Sequence, residues 1–265
     1  GMERVRGFTQ DDSHVFCTPD QLEDEVIAIL DLMDFLLKTF HYDYRCYLAT
    51  RPKDKYLGSD EEWSFATAAL QKAMERRGLP YEIDEGGGAF YAPKIDVKLR
   101  DAIGREWQCP TIQVDLNLPK RFGVYYTGPD GQDHEVIVLH RALYGSLERF
   151  AGIYIEHTGG EFPVWIAPVQ VQIIPANPKA NEYAQDTARL LKAGGLRVET
   201  DLRDEKMGAK IRDAELLKIP YMLIVGPREA DAVTVSPRRK GAGQLETMTR
   251  QAFLERVQKE VRERA

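Results

Sequence analysis

Thirteen residues near the start of the chain, Arg4-Val-Arg-Gly-Phe8-Thr-Gln10-Asp-Asp12-Ser-His14-Val-Phe16, concentrate the side-chain types that do chemistry. Guanidinium groups, aromatic rings, an amide, two adjacent carboxylates and an imidazole stand within the length of one strand and its approach. A second imidazole, His140, ends the apolar run Val136-Ile-Val-Leu-His140. Neutral imidazole is a common zinc ligand. Two distant histidines carry little weight by spacing alone, since most histidines are surface or core residues. His140 also opens the string His140-Arg-Ala-Leu-Tyr-Gly145-Ser146-Leu-Glu-Arg149-Phe150, whose Gly-x-x-x-Arg spacing is weak as a generic pattern. Between the two histidines lie Gly86-Gly-Gly-Ala-Phe-Tyr91-Ala-Pro-Lys94-Ile-Asp96 and Trp107-Gln108-Cys109-Pro-Thr111-Ile-Gln113-Val-Asp115. The odd spacing of Gln108 and Gln113 puts them on opposite faces of a regular strand, so a bulge or a split role is required.

The elements that must position these groups are legible in periodicity. Residues 19–40 read as a helix, with Thr18 as N-cap, Pro19 in the first turn and acidic residues at the positive end of the dipole. Leu22, Val26, Ile29, Leu30, Met33, Leu36 and Leu37 repeat along it at helical spacing. Residues 42–49 alternate like a strand, and 60–77 form a second amphipathic helix that stops at Gly78 and Pro80. Strand patterns follow at 89–99, 106–117, 124–126 and 135–140, separated by the turn signals Asp101-Ala-Ile-Gly104 and Gly128-Pro-Asp-Gly131. Strands in succession with short turns predict an antiparallel sheet, and a helix is expected over 141–157. Beyond Pro168 the pattern alternates: strands at 169–174, 197–200, 221–225 and 233–236, helices at 180–193, 206–218 and 250–264. That order predicts a doubly wound mixed α/β unit. The fold class is therefore α/β, with domains at 1–163 and 164–265.

Charged residues make up 29% and hydrophobic residues 43% of the 265, the balance of an ordinary globular protein. No apolar run approaches the ~18 residues needed to cross a bilayer, so no membrane partner is expected. Three widely spaced cysteines (Cys17, Cys46, Cys109) argue against a disulfide framework and for a reducing cytoplasm. Gly1 before Met2 reads as a residue left by tag removal. The net charge of −6 is uneven. Residues 1–166 carry 18 Lys and Arg against 28 Asp and Glu, whereas 167–265 carry 18 against 14. A polyanion is favoured by the second part, although uneven solvated charge gives the same count.

Taken as whole strings, these residues resemble the threonyl-tRNA synthetases, a family of class II aminoacyl-tRNA synthetases. The stretch from Arg4 to Phe16 is similar to the second half of class II motif 2, and the string from His140 to Phe150 is similar to motif 3. The C-terminal strings Asp201-Leu-Arg203-Asp204-Glu-Lys206-Met-Gly-Ala-Lys210-Ile-Arg212 and Ile219-Pro-Tyr-Met-Leu-Ile-Val-Gly226 resemble the family's anticodon-binding domain. The resemblance covers nearly all of the chain. It implies a class II antiparallel sheet, present in part, followed by the anticodon-binding domain.

The resemblance implies ATP-dependent activation of threonine and its transfer to threonine tRNA, with Mg2+ bridging the phosphates. By residue, it places Phe8 against adenine, Arg4 along the phosphates, and Arg149 and Ser146 at the nucleotide. It places Gln10, Asp12, Tyr91, Lys94, Gln108 and Gln113 in the catalytic pocket, and Asp204, Glu229 and Arg238 on the anticodon. His14 and His140 fall on the two histidine positions of a three-ligand zinc site. The cysteine ligand belongs upstream, and neither Cys17 nor Cys109 matches it. Motif 1, which builds most of the family's homodimer interface, is also missing, so a chain of this extent is expected to lack full activity. Gly87 stands where the family has glutamate, Ala92 where it has glycine, and Asp204 where it has asparagine. A rival from another class is a non-catalytic tRNA-binding or regulatory paralogue that uses the C-terminal domain.

Overall fold

Alternation along Lys94–Arg100 sets the polarity of the first sheet. Ile95, Val97 and Leu99 are wholly buried, while Lys94, Asp96 and Lys98 share the other face. The computed structural model describes residues 1–265, and its chain forms two compact units, residues 1–157 and 158–265. The first contains β1 (Ser13–Cys17), α1 (Leu22–Thr39), β2 (Tyr44–Ala49), α2 (Asp60–Arg77), β3 (Tyr81–Asp84), β4 (Lys94–Arg100), β5 (Glu106–Asp115), α3 (Leu118–Phe122), β6 (Tyr125–Thr127), β7 (Asp133–Glu135), β8 (Ile137–Ala142) and α4 (Leu147–Thr158). Six strands form one sheet in the order β1-β8-β5-β4-β2-β3, antiparallel throughout except for β2 with β3. Helices α1 and α2 pack on its apolar face through Val26, Leu30, Met33, Leu70 and Met74.

Several boundaries differ from the sequence expectation. Thr18 does not cap α1; it opens a turn in which Gln21 N–H donates to the Thr18 carbonyl (3.1 Å), and the helix starts at Leu22. Ser59 and Glu62 form a capping box on α2, which closes on left-handed Gly78. The run 89–99 is a strand only from Lys94. The run 135–140 breaks at Val136 into β7, paired with β6 as a hairpin, and β8. Helix α4 begins six residues later than periodicity predicts, because β8 extends to Ala142 and a turn follows.

The second unit contains β9 (Val171–Pro175), α5 (Asn181–Ala193), β10 (Val198–Thr200), α6 (Met207–Leu216), β11 (Tyr221–Val225), α7 (Pro227–Ala232), β12 (Thr234–Arg239), β13 (Gly243–Gln244), β14 (Met248–Thr249) and α8 (Arg250–Glu263). Its sheet runs β10-β9-β11-β12-β13, with β10, β9 and β11 parallel and β12 antiparallel. One face buries Val171, Ile173, Tyr221 and Leu223 with residues of α5 and α8. The other buries Ile174 and Met222 with Ala214 of α6. Strand β12 is longer than the sequence predicts, reaching Arg239.

The β4–β5 turn is fixed by Asp101, whose enclosed carboxylate accepts from Ile103 N–H (3.2 Å), Arg105 N–H (2.8 Å), Arg105 Nε (2.6 Å) and Trp107 Nε1 (3.0 Å). Burial pushes this carboxyl up, but the bonds from Trp107 and Arg105 outweigh it and bring it from 3.8 to about 2. A depressed carboxyl stabilises the fold above its ordinary pKa, and that contribution is lost as pH falls through about 2. Asp101→Asn should therefore lower the melting temperature at neutral pH, and its gap from the parent chain should narrow between pH 4 and pH 2. Circular dichroism melts across that range check it.

Candidate active site

Antiparallel pairing of β1 with β8 sets His14 directly opposite His140, with ring centroids 4.6 Å apart and nearly perpendicular. On the other side of β8, Gln113 of β5 pairs with His140. Tyr91 donates its hydroxyl to Gln113 Oε1 (2.9 Å). The buried Asp115 carboxylate lies 3.0 Å from His140 Nε2. Burial pushes Asp115 up, but the His140 bond and the N–H groups of Leu118 and Asn117 hold it below the usual carboxylate range. An ionised Asp115 can only accept, so it takes its hydrogen from His140 Nε2; a neutral imidazole held this way keeps its lone pair on Nδ1. A carboxylate behind a histidine is the arrangement that orients metal-ligating imidazoles. His14 and His140 thus fit two positions of a zinc site. No group of three His, Cys, Asp or Glu side chains stands together to complete it. Cys17 and Cys109 are buried, which pushes their thiols up to about 11 and about 12.

The parity conflict between Gln108 and Gln113 is resolved by a β-bulge. Asp96 pairs with Thr111 and Lys98 with Gln108, so Cys109 and Pro110 together oppose Val97. Proline, which has no N–H for a ladder, suits that position. The extra residue returns Gln108, Thr111 and Gln113 to one face, the face of Lys94 and His140. There Asp96, only 5% exposed, accepts from Lys94 Nζ (2.6 Å), Gln108 Nε2 (2.5 Å) and Thr111 Oγ1 (3.1 Å). The sequence reading missed Asp96 as a site residue; its signal was a carboxylate between two lysines on a polar alternation.

A cleft of about 360 Å3 is lined by Arg4, Phe8, Gln10, Gln108, Ser146 and Arg149, six of the predicted site residues, together with Glu3 and Gly145. Arg149 donates from Nη1 to the Gln108 carbonyl (2.7 Å) and from Nε to the Glu3 carbonyl (2.9 Å). Arg4 and Arg149 each lie 5.6 Å from the Trp107 ring. Gln10 and Ser146 form an isolated bridge that closes this wall. Gly145 adopts φ +69°, and a Cβ there would collide with the Cys109 carbonyl. It is the protein's own bulged backbone that needs this glycine.

The two aspartates of the first string divide their work. Asp11 accepts from the N–H groups of Leu143 (2.8 Å) and Tyr144 (3.0 Å), holding the turn between β8 and α4. Asp12 is exposed, and its charge helps to raise the Tyr91 phenol, after burial and Asp115. The loop at 86–92 absorbs its unusual residues. The Ala92 side chain is fully buried, while any side chain at Gly87 would meet the Asp84 carboxylate.

In the second unit the candidate residues sit on three elements with no bond between them. Asp204 is exposed in the β10–α6 turn. Glu229 of α7 accepts from Gly226 N–H (2.9 Å) and Ser236 Oγ (2.9 Å). Arg238 of β12 pairs with Glu215 (3.3 Å). The basic run 238–240 closes β12, and its side chains are paired. Arg239 bonds to Tyr221 and Glu260, and Lys240 pairs with Glu161.

Comparison with known proteins fits this geometry. Residues 1–158 match the family model described as tRNA synthetase class II core domain (G, H, P, S and T). The chain belongs to the class II tRNA synthetase family. Residues 170–260 of this class II chain match a second family, described as anticodon binding domain. A threonine–tRNA ligase from Caldanaerobacter subterraneus subsp. tengcongensis is 51% identical over 265 residues, covering 100% of this chain and 41% of that protein. One from Aquifex aeolicus is 52% identical over 263 residues, covering 99% and 41%. The chain thus spans about two fifths of these relatives. A solved structure titled as the RNA binding domain of threonyl-tRNA synthetase from Cryptosporidium parvum superposes with TM-score 0.93 at 37% identity, over 98% of this chain and 65% of that one.

The contrast between neighbouring aspartates is testable. Asp11→Ala leaves two backbone N–H groups without their acceptor and should destabilise by about 2–4 kcal/mol. Asp12→Ala, at an exposed position, should stay within about 0.5 kcal/mol of the parent chain. Urea titrations of both variants measure the difference.

Proposed function

We propose that this chain is part of a threonine–tRNA ligase and supplies its nucleotide cleft, much of its amino-acid subsite and its anticodon-binding domain. The observation that carries the reading is the convergence of Arg4, Phe8, Gln10, Gln108, Ser146 and Arg149 on one cleft. Gln108 shares its sheet face with Gln113 and the paired histidines. Phe8, 56% exposed, is placed to stack on adenine. Arg4 and Arg149 would supply positive charge to the ATP phosphates, alongside the charge that Mg2+ would bring. Gln10, Asp12, Tyr91, Lys94, Gln108 and Gln113 surround threonine and the reacting phosphate. His14 and His140 would hold a zinc ion together with a third donor, and its open positions would offer ligation to the amino and hydroxyl groups of threonine, a hydroxyl that valine lacks.

The chemistry is two substitutions. The threonine carboxylate attacks the α-phosphorus of ATP, and pyrophosphate leaves with the bonding pair. A terminal ribose hydroxyl of tRNA then attacks the threonyl carbonyl, AMP leaves with the bonding pair, and the hydroxyl proton passes to solvent. The chain's residues contribute orientation and charge stabilisation. In the second unit, Asp204, Glu229 and Arg238 present carboxylates and a guanidinium to splayed anticodon bases. The whole enzyme works as a cytoplasmic homodimer in this reading, a setting that suits three buried, unpaired thiols.

Phe8→Ala tests the nucleotide assignment. Loss of one base-stacking ring, worth about 1–3 kcal/mol, should weaken Mg-ATP binding roughly 5- to 150-fold in titration calorimetry. Because the ring is exposed, the melting temperature should barely change. An unchanged ATP affinity would contradict the reading.

A further inference from the structure

Asp96 lies beneath the site and does not line the cleft, yet two residues that do, Gln108 and Thr111, donate to its Oδ1. Its Oδ2 takes Lys94 Nζ at 2.6 Å. The same Gln108 gives its backbone carbonyl to Arg149 Nη1. A continuous path therefore runs Arg149–Gln108–Asp96–Lys94, crossing from β5 to β4 at the bulge. We infer that Asp96 is the positioning residue of this site, a buried carboxylate that fixes Lys94 and Gln108 relative to one another before substrate arrives. The inference rests on the functional reading above and deepens it.

The chemistry of the cluster supports this assignment. Lys94 is a flexible four-carbon arm whose ammonium would otherwise sample many positions. The Asp96 carboxylate, 5% exposed, meets that ammonium at 2.6 Å, and an ammonium has two further hydrogens to donate. The pairing also balances the buried charge, so the cluster adds little net field of its own. Asp96 is buried and does not line the cleft, so it acts through the residues it holds. Asp96→Asn keeps the shape and an acceptor for Gln108 and Thr111, but it can turn an amide N–H toward the lysine ammonium.

The test uses the full chain and a hydrolysis-resistant threonyl-sulfamoyl adenosine, which spans both subsites. Affinity is measured by calorimetry for the parent chain, Asp96→Asn, Lys94→Met and the double variant, with melts to confirm folding. A proton–nitrogen NMR correlation tuned to lysine ammonium groups reports whether Lys94 is held; Lys94→Met assigns its signal. Asp96→Asn should bind about tenfold more weakly and lose the Lys94 signal, and the double variant should be no weaker than Lys94→Met alone. Losses that multiply in the double variant, or a Lys94 signal that persists in Asp96→Asn, would overturn the inference. If the parent chain does not bind the analogue, the functional reading fails, and the ammonium signal alone still decides the positioning claim.

Discussion

An extra residue in β5, inserted opposite Val97, is the constraint on which the site depends. Without it, Gln108 would face α1 and α2, and the cleft that Gln108, Thr111 and Arg149 share would lose a wall. The bulge is held from three directions. Pro110 cannot take part in a regular ladder, Gly145 brings the motif 3 turn against the Cys109 carbonyl, and Asp96 gathers the side chains on either side of the irregularity. Each feature reads as a local anomaly in sequence. Together they turn Gln108 to the face of Lys94, Gln113 and His140, where it lines the cleft with five other candidate residues.

Carboxylates do much of this holding. Asp11 ties the turn before α4, Asp96 ties Lys94 to Gln108, Asp101 closes the β4–β5 turn and Asp115 orients His140. All four are satisfied by several donors, which is how a buried or half-buried charge is tolerated in a fold. The acidic balance of residues 1–166 is therefore partly structural.

Periodicity was a good guide to long helices and to strands with strict alternation. Helix α2, with its Ser59 cap and Gly78 stop, and helix α8 lie close to where the pattern puts them. Short elements were not legible. β3 is four residues long and β13 and β14 two each, too short to show a period, and their pairing is decided by partners remote in sequence. The start of α4 was hidden for a related reason: the turn before it is fixed by Asp11, over a hundred residues upstream. In the site, whole motif strings pointed to the residues that would touch ligand. Asp96 and Asp115 act behind them; alternation with Lys94 and Lys98 puts Asp96 on the polar face, but it does not separate a supporting carboxylate from a solvated one.

The proposed part of this chain in threonine–tRNA ligation is tested most directly by tRNA discrimination by the second unit. Binding of the chain to threonine tRNA is compared, at one fixed salt concentration, with binding to the same tRNA carrying an altered anticodon. The account predicts weaker binding to the altered tRNA, because under the proposed reading Asp204, Glu229 and Arg238 would contact base edges while the phosphate contacts would stay the same. Equal affinity for the two would contradict it.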